Sequence, residues 1–330
     1  MKFRTELALS GSNRTISHSN QIFGIGSCFI DSIGDKLENS KFQILKNPYG
    51  TLFHPLALET ALARIHSMAF YSEEEIFKYG ELYFSWDHHT SFSQVSAKST
   101  LEKINNELEL ANEFIQKSDI FFLTLGTSFA YKIKELGLFV ANCHKVPQQH
   151  FEKVLLTDAQ IKSSIKNCFN LIMDINPNAW IITTVSPVRH IKDGLVENNI
   201  SKSKLVSNLA EVSTLYENVE YFPAYELMLD DLRDYRFYKE DLIHPNEMAV
   251  DYIWEKFSAR YFDELTMKKI KIAEKINASV SHRPMNRAST SYKEFIYKTI
   301  KGIESVENQF PKDSFYAEKL MLKNLMKNAD

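Results

Sequence analysis

Two local arrangements in this sequence have residue types and spacing suited to chemistry. The first is Asp241-Leu242-Ile243-His244-Pro245, which places a carboxylate and an imidazole three positions apart on one short loop. A carboxylate held so close fixes the tautomer of the ring and stabilises its protonated form, which is how a general base is built. The ordinary alternative is that Asp241 caps a turn or helix and His244 is a surface loop residue, and a four-residue pattern alone favours that alternative. The second arrangement is Gly24-Ile25-Gly26-Ser27-Cys28-Phe29, where an apolar run ends in glycine and passes into helical spacing. Glycine permits a sharp turn, and the amide N–H groups that begin the helix point at any anion formed there. A Ser27 hydroxyl in that turn needs His244 to take its proton. A Cys28 thiolate is stabilised by the helix N-terminus and is the stronger nucleophile. Each residue also has a plain reading, Ser27 as an N-cap and Cys28 as a small buried apolar residue. Ser27 and Cys28 both stand as nucleophile candidates.

These side chains meet only if the fold brings together positions more than two hundred residues apart. Runs at 21–26, 41–45, 119–125, 180–185 and 219–222 are short, apolar and bounded by turn residues, which predicts strands, the last at an edge. Stretches 56–68, 101–115, 161–175, 203–215 and 249–261 carry helical spacing. The alternation predicts about five parallel strands joined by right-handed crossovers, in a three-layer α/β/α arrangement. Ligands of such sheets bind beyond the carboxyl ends of the strands. That rule adds Gly50, the run Gly126 to Ser128, and the run Ser186 to His190 to the positions of interest. Arg189 and His190 follow a strand end and suit a polar or anionic substrate group, with a salt bridge to Asp230, Asp231 or Asp234 as the plain alternative. Arg233 and Arg236 read as part of a structural charge network. Tyr235, Phe237 and Tyr238 serve either as a sugar-stacking wall or as buried packing. The aromatic segment 83–89 reads as a loop or short hairpin. From about residue 268 the chain turns basic and helical with no strand signal, so a domain over 1–265 and a helical extension over 266–330 are expected.

Composition narrows the classes. Over 330 residues, 44% hydrophobic and 25% charged content supply ample core, and a net charge of -3 argues against a nucleic-acid partner. No apolar segment reaches bilayer-spanning length, so no membrane partner is expected. The opening residues predict no secretory signal, and three cysteines suit free thiols in a reducing compartment, so a soluble, cytoplasmic protein is expected. Asn142-Cys143-His144-Lys145 and His88-His89 contain metal-ligating types without a zinc-like spacing. They read as loop or substrate contacts, and neither a metal nor another cofactor is expected. Oligomeric state is open.

The runs Gly26-Ser27-Cys28-Phe29, Asn47-Pro48-Tyr49-Gly50-Thr51, Leu123-Thr124-Leu125-Gly126-Thr127, Asn142-Cys143-His144-Lys145-Val146-Pro147, Thr184-Val185-Ser186-Pro187-Val188-Arg189-His190 and the segment 230–238 together resemble the GSCFA family, a bacterial branch of the SGNH (GDSL-like) hydrolases. The resemblance implies a flavodoxin-like α/β/α fold and a hydrolase or acyltransferase site. It matches Asp241 and His244 to the acid and base, and Gly50 to an oxyanion-hole glycine beside the amide of Cys28. In register, Cys28 falls on the nucleophilic serine and Ser27 on the aspartate of the Gly-Asp-Ser block. The Gly-x-Asn-Asp block is degraded to Gly126-Thr127-Ser128-Phe129, leaving Thr127, Ser128 or Asn142 as substitute oxyanion donors. His144, Ser186, Arg189 and His190 become candidates for substrate binding. The implied activity is hydrolysis of a small-molecule or glycan ester, a carbohydrate O-acetyl group among them. Acyl transfer from the same residues, and glycan binding without catalysis, are the alternatives.

Overall fold

A computed structural model describes residues 5–327, apart from positions 283, 285, 287 and 288 and the side chains at 193 and 327. Residues 1–4, part of the segment read for a secretory signal, lie outside the described residues. The chain begins with β1 (Gln21–Gly26), α1 (Cys28–Asn39), β2 (Gln43–Lys46) and α2 (Pro55–Ser67). A hairpin of β3 (Phe77–Tyr79) and β4 (Leu82–Phe84) leads to α3 (Ala97–Ile115) and β5 (Ile120–Leu125). Three short strands follow, β6 (Phe129–Ile133), β7 (Phe139–Val140) and β8 (Phe151–Leu155), and then α4 (Asp158–Ile175) and β9 (Trp180–Val185). Next come α5 (Leu195–Ser213), β10 (Val219–Tyr221), α6 (Ala224–Glu226) and α7 (Glu247–Tyr261). Helices α8 (Glu264–Val280), α9 (Thr290–Val306) and α10 (Tyr316–Lys327) complete the described chain.

The five expected strands form one sheet in the order β10-β9-β5-β1-β2, a parallel α/β fold flanked by helices. The pairs β1/β5, β5/β9 and β9/β10 are parallel, with Ile25 opposite Leu123 and Leu123 opposite Thr183. β5 and β9 are buried along their whole length, as central parallel strands covered on both faces must be. Phe121, Leu123 and Ile181 pack with Leu58, Ile104, Ile165 and Leu209 in a continuous core, each side chain contributing roughly 1.5–3 kcal/mol by leaving water. The structure adds a separate antiparallel sheet, β7-β6-β8, that the sequence pattern did not announce. Its strands span five residues at most and carry Lys132 and Lys153, so no apolar run marks them. Helix α5 also starts eight residues earlier than its apolar spacing suggested, at Leu195.

Two compact units are distinguishable, and neither is one continuous stretch. One comprises Met1–Ala8, Ile22–Gly34 and Leu45–Glu255, and the other Leu9–Gln21, Asp35–Ile44 and Lys256–Asp330. The second unit has its own core of Ala273, Ile276, Ile296, Ile303, Phe315 and Leu322. Within it His18 stacks on Phe42 with ring centroids 4.2 Å apart, and Lys41 pairs with Glu318. Among the described residues, no helix is long and apolar enough to cross a membrane.

Candidate active site

The turn after β1 is defined by Gly26, whose φ of 137° would be strained for any other residue and whose absent Cβ would lie 2.1 Å from the Thr124 carbonyl oxygen. Backbone and side-chain bonds then pin it. The Ser27 N–H donates to Thr124 O at 3.0 Å, the Gly26 N–H to Asn47 Oδ1 at 2.9 Å, and the Leu52 N–H to Gly26 O at 2.8 Å. Ser27 is buried, with its Oγ 2.9 Å from Thr124 Oγ1 and accepting from the Phe29 N–H at 3.4 Å. Its hydroxyl is thus engaged by the turn and by the start of α1. Cys28 is the first residue of α1 and is half-buried. Burial pushes its thiol above the ordinary cysteine range, opposed first by the positive charge of Lys202 and then by its own backbone N–H and Lys239, while Asp31 adds to the rise.

Asp241 and His244 adopt the arrangement their spacing predicts. His244 Nδ1 lies 2.7 Å from Asp241 Oδ2, and Asp241 Oδ1 accepts the backbone N–H groups of Ile243 at 2.9 Å and His244 at 3.0 Å. These bonds, led by those from His244, hold the Asp241 carboxyl well below the usual carboxylate range. With Nδ1 engaged, Nε2 is the ring atom left to exchange a proton. Leu242, with φ 58°, bends the loop. The Lys239 N–H bonds to the His244 carbonyl at 2.8 Å and the Arg189 N–H to the Ile243 carbonyl at 3.3 Å, so the loop is tied both to itself and to the segment after β9.

A further group stands here that the sequence reading passed over. Lys202 is 0% exposed, and its Nζ donates to the Ser186 carbonyl at 2.7 Å. Burial lowers its pKa to about 7, and negative charge on Cys28 works in the opposite direction. His190 is pushed down to about 3 by burial, with further contributions from the positive charges of Lys202 and His244. Cys28 therefore feels the charge of Lys202, and His190 feels those of Lys202 and His244. The sequence carried one usable signal for Lys202: with α5 extended to Leu195, it falls on the inward stripe with Asn198, Leu205, Leu209 and Val212. Arg189 lies over the rings of Tyr238, at 4.4 Å, and Tyr235, at 5.6 Å, and borders a cavity of about 220 Å³ with Met228 and Leu232. The nearby acidic residues pair elsewhere, Asp230 with Arg233 and Asp234 with Arg236.

The other candidates are held by bonds and ring contacts of their own. Thr127 Oγ1 is 2.9 Å from Ser201 Oγ, Ser128 Oγ donates to the Ser201 carbonyl at 3.1 Å, and both residues are buried. The Gly50 N–H closes its own turn onto Asn47 O at 2.7 Å, and a Cβ at Gly50 would lie 2.4 Å from that of His89. Asn142 Oδ1 accepts from the His144 N–H at 2.8 Å. His144 is buried against Phe84, ring centroids 4.1 Å apart, with Nε2 2.9 Å from Ser85 O. Ser186 is buried and contributes its carbonyl to Lys202. His88 stacks on Tyr49 at 4.3 Å inside the same unit.

Among solved structures the chain is similar to a Streptococcus pneumonia protein described as a candidate platelet activating factor, at 12% identity and TM-score 0.38 over 72% of this chain and 83% of that one. It is also similar to a carbohydrate esterase family 3 protein from Talaromyces cellulolyticus, at 10% identity and TM-score 0.35 over 78% and 99%. An acetyl xylan esterase from the rumen bacterium Butyrivibrio proteoclasticus aligns at 11% identity and TM-score 0.37 over 75% and 64%. Likeness at this level carries no argument about activity in this chain. No curated protein matches it. The model of the GSCFA family matches residues 21–257, and that of the C-terminal domain of GSCFA domain proteins matches residues 273–328. The first match spans both the Gly26-Ser27-Cys28-Phe29 turn and the Asp241/His244 loop, and the chain belongs to the GSCFA family.

Proposed function

We propose that this protein is an acyl-ester hydrolase in which Cys28 is the nucleophile, His244 the general base and acid, and Asp241 the residue that orients the imidazole. The observation that carries this reading is the carboxylate-bound His244, its Nδ1 2.7 Å from Asp241 Oδ2, on the loop whose Lys239 is among the charges acting on the Cys28 thiol at the start of α1. His244 Nε2 takes the proton of the Cys28 thiol as sulfur attacks the ester carbonyl, so a C–S bond forms and the carbonyl oxygen gains negative charge. The amide groups at the start of α1 face that charge. Collapse breaks the C–O bond, and the alkoxide leaves with the proton from His244. Water then gives a proton to His244 and attacks the thioester, and release of the carboxylic acid returns the thiol. Engagement of the Ser27 hydroxyl by Thr124 favours Cys28 over Ser27. Arg189 with Tyr235 and Tyr238 offers a polar and aromatic wall suited to a sugar, which fits the carbohydrate O-acetyl substrate implied by the SGNH resemblance.

The test is hydrolysis of a short-chain nitrophenyl ester. Cys28→Ala and His244→Ala are expected to lose about a thousandfold or more in kcat/KM, and Ser27→Ala to stay within about tenfold of wild type. Undiminished turnover in both Cys28→Ala and His244→Ala overturns the reading. So does a pattern in which Ser27→Ala is inactive and Cys28→Ala is not. Acetyl transfer from a thioester donor to a glycan, faster than hydrolysis of that donor, would move the assignment to acyltransferase.

A further inference from the structure

We propose that Arg189 is a subsite for a carboxylate on the alcohol portion of the substrate, so that the ester this protein takes is that of an acidic sugar rather than a neutral one. The inference rests on the reading of His244 as the group that protonates the leaving alkoxide, and its test reads binding rather than turnover.

The case begins with a guanidinium that has no counter-ion. Among the described residues no carboxylate pairs with Arg189, and the acidic side chains around it are spent elsewhere. Asp230 pairs with Arg233 and Asp234 with Arg236. Asp231 accepts from the Leu7 N–H and the Tyr252 hydroxyl, at 2.8 Å each, and Asp241 is held by His244. What Arg189 does have is an aromatic support. Its guanidinium carbon lies over Tyr238, 4.4 Å from the ring centroid, with the Tyr235 centroid at 5.6 Å. A guanidinium resting on a ring is fixed in its plane, while its edge keeps the fork of N–H donors that matches a carboxylate.

Placement ties this group to the reacting side of the site. The Arg189 N–H donates to the Ile243 carbonyl at 3.3 Å, and Tyr238 pairs with Pro245 in an antiparallel bridge. Arg189 and its supporting ring are thus anchored to the two residues that flank His244. Because His244 gives its proton to the leaving alkoxide, the alcohol portion of the ester lies on this side and the acyl group at Cys28. The cavity of about 220 Å³ that Arg189 borders includes the buried Met228 and Leu232, an apolar surface for the C–H face of a sugar ring. Charge then chooses the anion. Arg233 and Asp234 also line the cavity, but each is matched by its own partner, so one positive charge stands unmatched, that of Arg189. A single carboxylate balances it. A phosphate brings about -1.5 to -2 and leaves excess negative charge on the wall that carries Asp234.

The experiment is an NMR titration of the full chain with methyl glucuronoside, methyl glucoside and methyl glucoside 6-phosphate, none of which contains an ester. The glucuronoside is expected to bind about tenfold or more tightly than either of the others. In Arg189→Gln its preference over the glucoside is expected to fall to within about twofold, and Arg189→Lys, which keeps the charge without the fork, should retain part of it. Equal binding of glucuronoside and glucoside by wild type, or binding of neither, overturns the proposal and needs no variant to fold. So does a preference that survives in Arg189→Gln. Tighter binding of the phosphate overturns the assignment to a carboxylate. Failure here leaves the Cys28 and His244 assignments standing, since these probes are not turned over, and failure of those assignments in the nitrophenyl ester assay leaves the measured affinities unchanged.

Discussion

Two strand ends lie side by side in the central sheet and are used differently. β1 and β5 pair in parallel, and each runs into glycine followed by hydroxyl residues, Gly26-Ser27 in one case and Gly126-Thr127-Ser128 in the other. After β1 a single hydroxyl is absorbed by Thr124, and the next residue, the half-buried Cys28, opens a helix. After β5 both hydroxyls bond to Ser201, the Gly126 and Thr127 N–H groups both donate to Phe53 O, and the chain continues as strand β6. The comparison teaches that a glycine-hydroxyl turn at a strand end is chemically available only if its polar atoms are left unspent. Of the two, the β1 turn alone couples an unspent nucleophile to a helix N-terminus.

The strongest way to break this comparison is to change the glycines. Gly26→Ala forces a Cβ onto the Thr124 carbonyl at a positive φ, and a loss of about 3 kcal/mol or more in denaturant unfolding is expected. Gly126→Ala meets Phe53 O at 3.0 Å without that backbone strain, and the expected loss is smaller. Equal losses for the two would remove the conformational distinction.

Acid is expected to act on the β5 turn through His54, the residue after Phe53. Its Nδ1 accepts the Ala57 N–H at 3.2 Å, and burial lowers its pKa to about 4. Because the folded value lies below the unfolded one near 6.5, the unfolded state binds more protons between the two. The stabilisation is complete above about pH 6.5 and is lost as pH falls toward 4, at roughly 1 kcal/mol per pH unit. Chemical denaturation from pH 7 to pH 4.5 should show a slope that includes this contribution beside those of the other buried histidines, His190 among them, and His54→Asn should reduce it by about that amount. An unchanged slope in that variant would exclude His54 as its source.

Smaller effects separate the hydroxyls. Ser201→Ala takes the Ser201 hydroxyl from the Thr127 hydroxyl and the Ser128 N–H while Ser128 Oγ keeps the Ser201 carbonyl, and it is expected to cost about 2 kcal/mol in stability with kcat/KM nearly unchanged. Ser27→Ala removes a bond to Thr124 and a cap on the Phe29 N–H, for about 1 kcal/mol. A larger effect of Ser201→Ala on catalysis than on stability would show the β5 turn to be part of the reaction.

By itself the sequence determined the five strands of the central sheet, the sharp glycine turn after β1 and the Asp241/His244 contact. Each is a local matter: a strand declares itself by a run of apolar residues, a turn by glycine, and a carboxylate three residues from an imidazole has little choice of partner. The tertiary structure alone decided which polar atoms are spent. The bonds Ser27 to Thr124, Thr127 to Ser201 and Lys202 to Ser186 join residues 97, 74 and 16 positions apart, and nothing in the residue types predicts them. The β6–β8 sheet was hidden for the same reason, since pairing between short, lysine-bearing strands becomes visible only when they are side by side. The candidate nucleophile could be named from its neighbours in sequence, but the buried Lys202 lies on α5, 174 positions downstream, and came into view only with the helix that turns it inward.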